Sequence, residues 1–96
     1  WDDKVWWANA EQLCALAMTY EAGKNELYWE RFLRHHQYCR SNFFDPEYGE
    51  WFERLNADGS VKVDAKGTEW KCAFHLVRAL VYTLEALRRM EAAQDE

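Results

Sequence analysis

Two stretches of the sequence repeat apolar residues at the spacing of an α-helix. The two sets are Leu13, Leu16 and Tyr20, and Leu76, Leu80, Leu84 and Leu87. Because residues three or four apart share one side of a helix, each stretch predicts an amphipathic helix. A single antiparallel pair of helices cannot cover both apolar sides. The sequence therefore predicts a mainly α structure that is part of a larger helical array.

The aromatic content leads to the same conclusion. Aromatic residues make up 17% of only 96 residues, and six of them are Trp. A chain of this length buries only about 60–65% of the surface that its unfolded form exposes. The chain therefore either exposes aromatic rings for binding or lacks the rest of its core.

Charge and cysteine usage exclude several classes of partner. The net charge is −5, no stretch is strongly basic, and no run of 18 apolar residues occurs. We therefore expect neither nucleic acid nor a membrane as partner. Cys14, Cys39 and Cys72 are odd in number and form no C-x-x-C pair, which predicts buried thiols in a reducing cytoplasm and no zinc site.

The first half of the chain predicts a pair of helices. The first is expected to begin at an N-cap, Asp2 or Asp3, and to run to about Ala22, with Gly23 as its stop. The second is expected over residues 26–41 with Asn25 as its N-cap. The short connection predicts an antiparallel hairpin.

The second half predicts a short β-hairpin and one more helix. Pro46 ends helical structure, residues 51–55 and 61–63 read as two strands, and Gly59 suits the turn between them. The last helix is expected from about residue 72 to Met90 or beyond, with a frayed acidic tail at 91–96. Nothing marks a linker, so residues 1–96 are expected to form a single unit.

His75 is the first candidate for chemistry. Arg78 follows it by one turn, so both side chains share a helix face. Histidine exchanges protons near neutral pH, and a cation beside it can hold a developing oxyanion. A capped pair on the surface fits the same spacing. His35 and His36 are adjacent on a helix and cannot both face one metal ion, so solvated or capping roles are expected for them.

A carboxylate and three tryptophans are further candidates. Glu11 lies among apolar neighbours, where it would bind sugar hydroxyls, orient a histidine or sit at the rim of the apolar side. Trp7, Trp51 and Trp70 each offer a ring on which a sugar can stack, although core packing is the commoner role of a tryptophan.

Three segments resemble the N-acylglucosamine 2-epimerase family. Residues 6–11 are similar to its W-W-x-x-x-E helix opening, residues 45–52 to its D-P-E-Y-G-E-W-F segment, and residues 70–78 to its (W/F)-K-x-x-(F/Y)-H-x-x-R helix start. The resemblance implies that the chain is the C-terminal quarter of an (α/α)6 barrel. It also implies a monosaccharide or disaccharide substrate, and as a partner the remainder of the barrel or a second subunit.

The resemblance also implies roles for five residues. His75 matches one of two histidines that act as acid and base at C2 of a reducing sugar, with no metal or redox cofactor. Arg78 and Glu11 match substrate-binding positions, and Trp70 matches a ring that stacks on substrate. Trp7 is the better sugar contact of the Trp pair, because it lies on the same file of α-helical positions as Glu11. Trp51 is expected to be structural.

The second histidine of the family pattern does not occur in these 96 residues, so the chain alone is expected to be inactive. A different interpretation needs no chemistry. A small helical module that buries its aromatic faces on a partner, or that only binds sugar, has the same composition.

Overall fold

The computed structural model describes residues 3–64, 66 and 73–94. Its helices and strands follow one another along the chain. They are β1 (Lys4–Val5), α1 (Trp6–Gly23), α2 (Glu26–Asn42), β2 (Arg54–Leu55), β3 (Val61–Val63) and α3 (Ala73–Gln94). The expectation of a mainly α structure with one short β-hairpin is confirmed.

The turn between α1 and α2 is built as the sequence predicts. The Asn25 side chain accepts a hydrogen bond from the backbone N–H of Leu27 at 3.0 Å and caps α2. At the end of α1, Lys24 adopts the left-handed conformation with φ of 57° and donates its N–H to the carbonyl of Tyr20. Gly23 itself is the last helical residue.

The predicted cap of α1 is wrong. The N-cap is Val5, which makes no side-chain cap hydrogen bond, and Asp2 lies outside the described residues. The carboxylate of Asp3 instead binds the Nζ of Lys62 at 2.7 Å, so it joins the sheet. The start of α1 is instead fixed next to the sheet, because the N–H of Trp6 donates a hydrogen bond of 2.9 Å to the carbonyl of Glu53.

The sheet has the antiparallel order β1-β2-β3. The predicted β2–β3 hairpin is confirmed, and Gly59 supplies the positive φ of 92° in its turn. Its first strand is shorter than the 51–55 expected, because only Arg54–Leu55 pairs in the sheet and Trp51 forms an isolated bridge with Phe44. The strand β1 was not expected, since two residues are too few to show an alternating pattern. It pairs Lys4 with Leu55 and Val5 with Arg54. The sheet thereby ties the start of α1 to the hairpin.

The last helix continues beyond Met90, as the prediction allowed, but the fraying expected from residue 91 does not occur over 91–94. Two observations explain the extension. Met90 is buried, and the Arg89 guanidinium makes two hydrogen bonds of 2.7 and 2.8 Å to the Glu21 carboxylate of α1.

Two apolar clusters join the helices. The larger contains Trp6, Ala10, Cys14, Cys39, Phe43, Trp51, Leu55, Leu76 and Ala79, and the smaller contains Leu13, Ala17, Phe32, Ala86 and Met90. Trp51 stacks on Phe43 in the larger one, with ring centroids 5.4 Å apart, in keeping with the structural role expected for it.

The described cysteines are buried, as predicted. Cys14 is 5% exposed and Cys39 is 1% exposed, while Cys72 lies outside the described residues. Burial raises the pKa of the Cys39 thiol to about 12. The thiol is therefore uncharged at neutral pH and unreactive.

One side of α3 packs on α1, and the other side remains exposed and apolar. The exposed residues are Phe74, Val77, Leu80, Val81, Tyr82 and Leu84. We call this set the open face of α3. In the described part of the chain, no helix combines the length and apolar character that crossing a membrane requires.

Candidate active site

Glu11 connects the starts of α1 and α3. The Nδ1 atom of His75 lies 3.2 Å from its Oε1 atom. Arg78 donates from Nη2 to Oε2, the second oxygen of the same carboxylate. His75 and Arg78 share a face of α3, as their spacing predicts, and α1 presents Glu11 to both. Three residues that are separate in the sequence therefore form one cluster.

The cluster keeps Glu11 ionised. Burial raises the pKa of this carboxyl, but the hydrogen bonds from Arg78 and His75, together with their charges, outweigh burial and hold the pKa below its usual range. A carboxylate can only accept hydrogen bonds. The proton between Glu11 and His75 is therefore carried by Nδ1 of the imidazole.

This hydrogen bond decides what His75 can do. When Nδ1–H donates to a carboxylate, Nε2 of the neutral ring carries the lone pair and is able to accept a proton. The side chain of His75 is 37% exposed, so the ring is accessible. A carboxylate-oriented imidazole is the arrangement that general acid–base catalysis uses.

Aromatic rings surround the imidazole. The ring centroids of Trp6 and Trp7 each lie 5.6 Å from that of His75, and that of Phe74 lies 5.1 Å away. Trp7 is 48% exposed, whereas Trp6 is 3% exposed. Of the two tryptophans, Trp7 is therefore the one whose ring a ligand can reach, and its role as a sugar contact stays a prediction. The contact between Trp6 and His75 was not predicted.

Arg78 has two aromatic neighbours that sequence reasoning missed. Its guanidinium carbon lies 5.6 Å from the ring centroid of Phe74 and 5.9 Å from that of Tyr82. These residues precede and follow Arg78 by four positions, so helical spacing alone was a sufficient signal. The Nε–H of Arg78 is buried and has no hydrogen-bond partner in the described part of the chain.

The other histidines do not join the cluster. His35 Nε2 lies 2.9 Å from the carbonyl oxygen of Asn9, and the ring of His36 stacks on Phe32. Among residues 3–64, 66 and 73–94, no group of three or more His, Cys, Asp or Glu side chains is placed to hold a metal ion. The sugar contact predicted at Trp70 falls outside the described residues.

Comparison with known proteins identifies the family. The model of the N-acylglucosamine 2-epimerase (GlcNAc 2-epimerase) family matches residues 1–79. The N-acylglucosamine 2-epimerase of Bos taurus is 37% identical over 90 residues, which are 94% of this chain and 21% of the bovine protein. The chain belongs to the N-acylglucosamine 2-epimerase family. The resemblance inferred from the three motifs is confirmed.

Further relatives show the range of this family of sugar epimerases and isomerases. The D-mannose isomerase of Marinomonas mediterranea is 26% identical over 85 residues, covering 88% of this chain and 22% of that protein. A cellobiose 2-epimerase from Spirochaeta thermophila matches in structure with a TM-score of 0.82 and 25% identity, covering 92% of this chain and 22% of the other.

The structural neighbours have the (α/α)6 barrel fold, so the fold class expected from the resemblance is confirmed. The chain spans about a fifth of the length of the relatives that it matches.

Proposed function

We propose that this chain supplies part of the active site of a sugar 2-epimerase or aldose–ketose isomerase. The reaction moves the proton at C2 of a reducing sugar. One observation carries the proposal: the Glu11 carboxylate binds Nδ1 of His75 and the guanidinium of Arg78 at once. The cluster thus offers a proton acceptor beside a fixed cation, which removal of a proton next to a carbonyl requires.

His75 is the acid–base residue of this proposal. In the open-chain sugar, one histidine removes the C2 proton, and the electron pair of the broken C–H bond moves toward the oxygen on C1. An N-acylhexosamine then gives an enolate, and a sugar with a hydroxyl on C2 gives an enediolate. Return of a proton to C2 from the opposite side gives the epimer. In a sugar with a hydroxyl on C2, return of a proton to C1 together with loss of the proton of that hydroxyl gives the ketose. Each proton removed is returned and the sugar undergoes no net oxidation or reduction, so the scheme calls for no metal or redox cofactor. The second histidine comes from outside this chain.

Arg78 holds the oxygen on which negative charge develops. The Arg78 side chain is 37% exposed and a guanidinium carries five N–H groups, so donors other than the one engaged by Glu11 are proposed to reach this oxygen. Nη2 is already engaged by Glu11, which fixes the plane of the guanidinium. Glu11 then acts as a positioning residue as much as a contact for sugar hydroxyls.

The aromatic residues complete the substrate site in this proposal. The exposed ring of Trp7, next to His75, is placed to pack against the C–H groups of a sugar. Trp70 is proposed to stack on substrate from the segment that precedes α3.

The preferred substrates are N-acylglucosamine and N-acylmannosamine. Identity supports this choice, since the bovine N-acylglucosamine 2-epimerase is more similar to this chain than the mannose isomerase is. We further propose that residues 1–96 are the C-terminal quarter of the barrel, that the remainder of the barrel or a second subunit completes the site, and that the enzyme works in the cytoplasm.

Exchange of the C2 proton tests the proposal directly. The complete barrel protein that includes this chain is incubated in D2O with N-acetylmannosamine, mannose or cellobiose, and loss of the C2 proton signal is followed by NMR. We expect His75→Asn to slow exchange by about 10²–10⁴-fold, the usual contribution of a positioned acid–base group. His36→Asn is the matched control, because His36 is exposed on α2 and outside the cluster.

Two outcomes contradict the proposal. One is a parent protein that exchanges the C2 proton of none of the three sugars. The other is a folded His75→Asn variant whose exchange rate equals that of His36→Asn.

A further inference from the structure

A cavity of about 280 Å³ lies beside His75 and includes residues of the sheet. Its walls are formed by Val5, Trp6, Trp7, Glu53, Arg54 and His75. Three of these residues, Trp6, Trp7 and His75, are the imidazole and two of the rings around it. Glu53 and Arg54 do not, and no motif in the sequence points to either of them. The cavity therefore adds a charged wall to the proposed site.

The sheet places Arg54 in this wall. Arg54 lies opposite Val5 in the β1–β2 pair, and residues that lie opposite one another project from the same side of a sheet. The next residue, Leu55, is fully buried in the core on the other side. The register between β2 and β3 shifts between Arg54 and Leu55, and such bulges are common beside active sites, where they redirect a side chain.

In the described part of the chain, the guanidinium of Arg54 makes no hydrogen bond. Its Nη1 lies 3.7 Å from Oδ2 of Asp3, which is too long for a hydrogen bond. The same oxygen accepts a hydrogen bond of 2.7 Å from Lys62. Asp3 thus holds Arg54 by charge without using its N–H groups, and a guanidinium carries five of them.

We infer that Arg54 determines specificity by donating a hydrogen bond to the acyl oxygen of an N-acylhexosamine. This inference rests on the proposed function, because it places the sugar beside His75. The acylamino group is attached to C2, the carbon whose proton moves, so it must lie close to the imidazole. Val5, Trp6 and Trp7 give the same cavity apolar walls that suit the methyl group of an acetyl substituent.

Steady-state kinetics of three variants of the complete protein test the inference. Arg54→Met removes the donors, and Arg54→Lys keeps the charge near Asp3 while losing the planar fork. Lys62→Met is the matched control, since Lys62 binds the same Asp3 oxygen but does not line the cavity. Each variant is measured for kcat and KM with N-acetylmannosamine and for the inhibition constant of mannose, which lacks the acyl group. Thermal unfolding followed by circular dichroism shows which variants are folded.

For Arg54→Met we expect KM for N-acetylmannosamine to rise by about 10- to 100-fold, because the substrate loses a hydrogen bond from a charged group. The value of kcat should change little. The inhibition constant of mannose should stay unchanged, and Lys62→Met should resemble the parent. If Arg54→Met does not fold, Arg54→Lys gives the same comparison with a smaller rise.

The inference is overturned if KM stays at the parent value, if the binding of mannose weakens equally, or if Lys62→Met produces the same change. A parent protein with no C2 exchange defeats the proposed function itself. A parent that exchanges, with an Arg54 variant that binds both sugars normally, defeats only the role of Arg54.

Discussion

Glu11 is the residue on which the arrangement of the proposed site depends. Its two oxygens have different partners, His75 on one and Arg78 on the other. Sequence reasoning left three roles open for it, namely binding sugar hydroxyls, orienting a histidine, or lying at the rim of an apolar face. The contact with Nδ1 favours orientation of the histidine, because both oxygens are engaged within the protein.

Replacing Glu11 by Gln should therefore lower kcat more than it raises KM. Gln keeps an acceptor for Nδ1–H but removes the charge that binds Arg78. We expect kcat of the complete protein to fall by about 10- to 100-fold, since hydrogen bonds to charged groups are worth about 1.5–3 kcal/mol. Steady-state kinetics with N-acetylmannosamine measure the change.

A matched control exists in the same pair of helices. Glu21 of α1 binds Arg89 of α3, as Glu11 binds Arg78, but far from His75 along both helices. Glu21→Gln should leave kcat at the parent value. Equal losses in the two variants would show that a general α1–α3 contact matters, and would argue against a positioning role for Glu11.

The turn after α2 is an element whose stability depends on one carboxylate. Oδ1 of Asp45 accepts hydrogen bonds from the backbone N–H groups of Glu47 and Tyr48, at 2.8 and 3.2 Å. Oδ2 binds the Nζ of Lys66 at 2.5 Å, and this ammonium group lies 5.3 Å from the ring centroid of Phe52. Asp45 thus connects the turn with the segment that follows β3.

These contacts predict a dependence of stability on pH. The hydrogen bond from Lys66 and those from the backbone lower the pKa of Asp45 and outweigh the opposing effect of burial. A carboxyl whose pKa is lower in the folded state stabilises the fold above the pKa of the unfolded chain, about 3.9, and loses this contribution as pH falls further. Asp45→Asn should therefore be less stable than the parent at pH 7, and the difference should shrink below about pH 4.

Thermal unfolding of the parent and of Asp45→Asn, measured between pH 7 and pH 3, checks this expectation. Asp64→Asn provides the control, because Asp64 directly follows β3 and is exposed. A difference between parent and Asp45→Asn that is constant over the whole range would contradict the expected role of the ionised carboxylate.

The molecule as a whole leaves an apolar surface uncovered. On the open face of α3, Phe74 is 61% exposed, Val77 is 54% exposed and Leu84 is 47% exposed. An exposed apolar surface of this kind marks an interaction site. The chain also spans only about a fifth of the length of its relatives. The solved structures that it resembles are barrels. These facts agree with the proposal that further helices cover this face.

Native mass spectrometry of the protein purified from its source should then show a species several times heavier than 11.5 kDa, the mass of these 96 residues. The denatured mass shows whether one longer polypeptide or a second subunit supplies the difference. A monomer or homodimer of 11.5 kDa chains would contradict completion of the barrel, and would favour the interaction module.

The amino-acid sequence by itself determined the helices, the hairpin and the family. Helix spacing, the Asn25 cap and the turn at Gly59 act within a few residues of one another, and the three motifs are local as well. His75 and Arg78 were found for the same reason, since their shared helix face follows from their spacing. The cap of α1 and the fraying of residues 91–94 were mispredicted, because distant contacts of Asp3 and Arg89 decide them.

Only the tertiary structure decided what these local features do together. Glu11 and His75 are 64 residues apart, and no periodicity relates them. Strand β1 exists because β2 pairs with it, and Arg54 enters the cavity beside His75 because that pairing fixes its side of the sheet. The physical reason is the same throughout: local preferences specify elements, whereas packing specifies which side chains meet.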